Sequence, residues 1–66
     1  SANIADDLLN MEGMDDILAL ALAKKGILNM EELAEQATDE LMDIEGMDED
    51  RAGKLIMTAR APWFVE

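Results

Sequence analysis

Seven carboxylates crowd two short stretches of this chain. Glu12, Asp15 and Asp16 flank Gly13, while Glu45, Asp48, Glu49 and Asp50 flank Gly46. Carboxylates so dense can bind a cation, exchange protons, cap helices or repel phosphate, and spacing decides among these. An EF-hand calcium loop alternates its acids and carries Gly at the sixth place. The acidic run that starts at Asp43 reaches its Gly at the fourth place, at Gly46, so it is not such a loop. Acid–base catalysis needs paired carboxylates in a cleft, and 66 residues can hardly build one. There is no Cys, His or Tyr, and Ser1, at the terminus, has no base placed to activate it. The expectation is a protein that is not an enzyme and holds neither metal nor cofactor.

The remaining roles depend on the elements that carry these acids. Asp15 precedes an apolar run from Ile17 to Ala23 and reads as the N-cap of a helix from Asp16 to about Lys25. The run is continuous, which predicts a helix buried on most sides. Lys24 and Lys25 suit its C-terminal dipole, and Gly26 can take the left-handed position after it. Asn3 followed by Asp6 predicts a capping box opening a short helix through about Asn10. Asn29 caps the next helix, with Glu32 three residues on and a stripe of Met30, Leu33, Ala34 and Ala37. Thr38 is expected to cap a short helix through Asp43. Asp48 caps the last, whose core stripe is Ala52, Leu55, Ile56 and Ala59 and which Pro62 stops. The fold class is therefore all-α, with five short helices; nothing alternates with the period of a strand.

The two acidic stretches are copies of one another. "LLNMEGMDD" begins at Leu8 and "LMDIEGMDE" at Leu41. Both continue into a shared template, apolar-x-Gly-apolar-Asp-x-x-x-Ala-x-x-Leu. Each copy places a short helix, a Gly-centred hairpin and a longer helix in order. The Gly permits a tight turn with positive φ. Met11 and Met14, or Ile44 and Met47, flank it and pin it, while Ala19 or Ala52 lets the second helix approach closely. The template resembles the helix-hairpin-helix motif, present twice. In that family the hairpin usually reads Gly-apolar-Gly, and its backbone N–H groups hold a DNA phosphate at a helix N-terminus. Here the second Gly is replaced by Asp15 and by Asp48. Charge-assisted hydrogen bonds to a phosphate are worth about 1.5–3 kcal/mol each. A like charge ~4 Å away costs about 1–4 kcal/mol, so several carboxylates per turn cancel the anchor. The fold is expected to be retained and direct nucleic-acid binding lost.

Composition agrees with that expectation. Sixteen acids face five bases, a formal charge of −11, which repels nucleic acid and anionic membranes and attracts basic partners. No apolar run reaches the ~20 residues a membrane helix needs, and no signal peptide is visible. Met11, Met30 and Met57 fall at or beside apolar stripes and are expected in the core. Met14 and Met47 are either turn anchors or half-exposed contacts. The only aromatics, Trp63 and Phe64, are expected to fold back over a core that otherwise lacks large side chains. The chain begins with Ser1, so residues 1–66 read as one acidic domain excised from a larger protein.

A closer resemblance rests on "LAEQ", then "DIEG", then "AGKLIM-AR" and the terminal "WF", in that order between the two acidic hairpins and the chain end. Together these resemble the C-terminal acidic repeat domains of the NusA family of bacterial transcription factors, over essentially the whole chain. That resemblance implies a cytoplasmic protein acting in pausing, termination and antitermination. It implies two partners: the C-terminal domain of the RNA polymerase α subunit, and the parent protein's own RNA-binding domains, which the repeat inhibits until the α subunit releases them. The candidate partner-binding residues are Glu12, Asp15, Asp16, Glu45, Met47, Asp48, Glu49 and Asp50, and the net charge favours a monomer. The alternative is a helix-hairpin-helix nucleic-acid binder using Arg51, Lys54 and Arg60. A structural spacer without partner is the third reading.

Overall fold

The structure is a computed structural model that describes residues 3–64; Ser1 lies outside them. Four α-helices follow one another: α1 (Asp6–Leu9), α2 (Asp16–Lys24), α3 (Met30–Ala34) and α4 (Glu49–Arg60). Two 3-10 turns complete the order, Thr38–Leu41 before the second hairpin and Ala61–Phe64 after α4. Among the described residues there is no strand, so the fold is all-α.

The expected fifth helix is one of those 3-10 turns. Its bonds span three residues, Glu40 N to Ala37 O at 3.0 Å and Met42 N to Asp39 O at 3.4 Å. Ala37, not Thr38, is the N-cap residue, and the Glu40 carboxylate accepts from its N–H at 2.8 Å. Four residues squeezed between α3 and the second hairpin leave no length for a full α-turn to propagate. Asn3 does not cap α1 either. Ala5 is the N-cap without a side-chain bond, and its N–H donates to Leu28 O at 2.9 Å, tying α1 to the loop after α2.

The other caps behave as their sequences require. Asn29 Oδ1 accepts from Glu32 N at 2.8 Å, and Glu32 Oε1 accepts from Leu28 N at 2.8 Å. The carboxylate thus reaches one residue beyond the cap. At the end of α2, Gly26 N donates to Ala23 O and Ile27 N to Leu22 O, with Gly26 at φ +85°. This is a Schellman closure, and buried Ile27 and Leu22 supply its apolar contact.

Leu8, Leu22, Leu33 and Leu41 are fully enclosed. Around them pack Met11, Leu18, Ile27, Ala34 and the α4 stripe Ala52, Leu55, Ile56 and Ala59. Helix α4 is the spine, with α3 and the Thr38–Leu41 turn against it, and the exposed Ala61–Phe64 turn continues from its end. Three expectations about burial are corrected. Ile17 is 82% exposed and Leu20 is 54% exposed, so α2 is not buried on most sides. It buries the single stripe Leu18, Ala19 and Leu22 and presents apolar residues to solvent on another face. Met57 is exposed because it falls off the α4 stripe by a third of a turn. Trp63 and Phe64 do not cover the core; four enclosed leucines already close it, and both rings are exposed. Trp63 instead takes the Arg60 guanidinium over its face, 5.9 Å from the ring centroid.

Candidate functional site

The two hairpins close alike. Met14 N donates to Met11 O, and Met47 N donates to Ile44 O, both at 3.0 Å. Gly13 at φ +85° and Gly46 at φ +82° occupy the third place of these turns, where a side chain would be strained. Met14, Ile44 and Met47 are partly buried against the core. Met47 is therefore a turn anchor, with only its remaining surface free for contact.

Each hairpin delivers an aspartate onto the helix that follows. Asp15 Oδ1 accepts from Leu18 N, and Asp48 Oδ1 accepts from Arg51 N, both at 2.7 Å. A helix N-terminus offers unpaired N–H groups and a positive dipole end to an anion. Here the chain's own carboxylate accepts from one of these N–H groups at each of the two positions. Asp16 on α2, and Glu49 and Asp50 on α4, add further negative charge in the first turns.

The candidate acids separate into groups. Asp15 and Glu45 line one groove of about 570 Å³ between α2 and the second hairpin, together with Ile17, Leu20, Ala21 and Ile44. Glu12 lines a different concavity with Gly13, Leu55, Met57 and Lys54. Arg51 borders both. Its guanidinium meets Asp15 Oδ2 at 3.4 Å, an exposed ion pair that bridges the two copies. Asp16, Met47, Asp48, Glu49 and Asp50 line neither concavity; of these the four acids are exposed on the surface nearby.

Most of the bases are already engaged. Lys54 pairs with Asp50 at 3.1 Å along α4. Arg60 donates from Nε to Ala34 O at 2.7 Å, which satisfies a carbonyl at the end of α3. Lys25 donates to both Asp43 oxygens, at 2.7 and 2.9 Å. The hydrogen bond from Lys25 holds the Asp43 carboxyl below its ordinary pKa, against an opposing desolvation and with a smaller contribution from the Lys25 charge. Three ion pairs leave most of the sixteen acids without a cationic partner among the described residues.

Ile17, Leu20, Ala21 and Ile44 were missed as site residues in the sequence. The continuous apolar run of α2 reads as burial, and periodicity alone cannot say which face remains open. Comparing the two copies carries the missing signal: Asp50, Gly53 and Lys54 stand in the second copy where Ile17, Leu20 and Ala21 stand in the first.

A family model described as the SAM-like helix-hairpin-helix tandem matches residues 5–61. The chain belongs to that family. The tandem accounts for the repeated hairpin, for the shared cap geometry and for the pairing of the two copies through one core.

Proposed function

We propose that this domain is an acidic protein-interaction module of a NusA-type bacterial transcription factor. It acts in the cytoplasm as a monomer, in termination and antitermination, and performs no catalysis. Its partner is the C-terminal domain of the RNA polymerase α subunit, and the same surface holds the parent protein's RNA-binding domains inactive until that partner takes it over. The observation that carries the reading is the double self-capping. At both hairpins, where a helix-hairpin-helix tandem would take a phosphate, a carboxylate of the chain is hydrogen-bonded to the helix N-terminus and ringed by further acids. Such a surface suits a partner rich in Lys and Arg, including one whose own basic face otherwise binds DNA.

Neutralising Glu45, Asp48 and Asp50 together (E45Q/D48N/D50N) tests it. Affinity for the polymerase domain should fall while helicity stays, because Asn remains a good N-cap. Unchanged affinity in the folded triple variant would remove the hairpin acids from the interface.

The competing reading is direct nucleic-acid binding through Arg51, Lys54 and Arg60. Each of these bases is engaged, with Asp15, Asp50 and with Ala34 O respectively. A gel shift with duplex DNA at low salt separates the two readings, and the proposal expects no retarded band.

A further inference from the structure

The open face of α2 is the feature that neither the fold nor the double capping uses. Ile17 is among the most exposed large apolar side chains described, and Leu20 lies one turn along the same face. With Ala21 and Ile44 they floor the groove of about 570 Å³ against the second hairpin. The chain contains its own control for this face. In the second copy the equivalent residues of α4 are Asp50, Gly53 and Lys54, and Asp50 pairs with Lys54 in open solvent. At the positions of Ile17 and Ala21 the second copy carries exposed charged residues, while Gly53, at the position of Leu20, is half-buried beside Thr38. The fold has no use for Ile17 and Leu20 where they stand, and water penalises them.

Charge selects the occupant. Of the groove's bases, Lys25 and Arg51 are paired with Asp43 and Asp15, and Lys24 stands at the end of α2. Glu45 on its rim and Asp16 beside Ile17 have no cationic partner among the described residues. The lining itself balances three acids with three bases, so the selection comes from the whole domain, whose charge of −11 repels an acidic or phosphorylated ligand. The volume takes a few side chains and not a whole helix, so an occupant lays one apolar stripe across it. We infer that the α2 groove receives the apolar stripe of a partner helix flanked by Lys or Arg, with Ile17, Leu20 and Ile44 as the floor and Glu45 as the acidic rim. This rests on the reading of the domain as an acidic interaction module. It moves the apolar anchor of that interface from the hairpin tips to the first copy's helix.

The test is a nitrogen-15 NMR titration of the domain with two designed helical peptides, one amphipathic in Leu and Lys, the other with Glu for Lys. The Leu/Lys peptide should move the amides of residues 17–21 and 44–45 and the Leu/Glu peptide should not. I17D/A21K writes the second copy's surface onto the first and should weaken binding about tenfold or more, a ratio read directly from the dissociation constants. L20Q, which leaves charge unchanged, is the second variant should the first lose its folded spectrum. Shifts spread over the acids away from the groove would overturn the inference. So would a folded variant that binds as tightly as wild type. The C-terminal domain of the polymerase α subunit serves as a parallel titrant. If it binds wild type and I17D/A21K equally, the groove is refuted and the interaction reading stands. If it binds neither while the Leu/Lys peptide fills the groove, the groove stands and the named partner is lost.

Discussion

Asp15 and Asp48 each carry two roles that substitution can separate. As caps, each contributes about 1 kcal/mol, so D15A and D48A should each lower unfolding stability by that amount in urea titrations. As charges, they belong to the proposed interface, and Asn in their place should keep the stability while reducing affinity for the proposed partner. Asp15 adds the exposed pair with Arg51, worth at most a fraction of a cap. Asp43 gives a different signature. Its pKa is lowered in the folded state by the Lys25 hydrogen bond. The folded protein therefore holds that proton less tightly than the unfolded chain. The stabilisation is fully present above the unfolded value of about 4 and is lost as pH falls through the lowered folded value. D43N should abolish this acid-side dependence and leave the rest of the pH–stability curve in place. Thermal melts between about pH 2 and 6 check it, since that range spans both protonation states.

At the scale of elements, the hairpins stand or fall on their glycines. Gly46 has open space around an added Cβ but lies at φ +82°, so G46A should cost roughly 1–2 kcal/mol from backbone strain alone. Gly13 shares that strain, and a Cβ there would touch Leu55 at an ordinary 3.5 Å, so G13A should cost about as much, about 1–2 kcal/mol. Comparing the two by chemical denaturation tests whether the copies are mechanically equivalent. These positions were legible in the sequence because a Gly set between apolar residues, and repeated in the same setting, marks a tight turn twice over. The caps at Asp15, Asn29 and Asp48, the closure at Gly26 and the α4 stripe were legible because each is decided by neighbours within four residues. What lay beyond reach depended on distant packing. Asn3 lost its capping role once Ala5 bonded to Leu28, far along the chain. The helix expected from Thr38 tightened into a 3-10 turn between two fixed elements. The open face of Ile17 and Leu20 followed from where no other element packs, which the pattern of one helix cannot express. The candidate acids stood out in the sequence as a set, but that only Asp15 and Glu45 among them line the α2 groove did not.

For the whole molecule, one number governs both stability and binding, the formal charge of −11. Self-repulsion of that size opposes the compact state, and salt screens it. Raising sodium chloride from about 0.02 to 0.5 M should therefore raise the melting temperature of the free domain, as the screening length drops from roughly 20 to 4 Å. The same salt should weaken association with a basic partner, so stability and affinity should move in opposite directions. No helix among the described residues is long and apolar enough to cross a membrane. The measurement that tests the central claim most directly is isothermal calorimetry, at those two salt concentrations, of this domain with the C-terminal domain of the polymerase α subunit. The account predicts a one-to-one complex of modest affinity at low salt that weakens severalfold or more at high salt. No heat of binding at either concentration, or an affinity indifferent to salt, would contradict it.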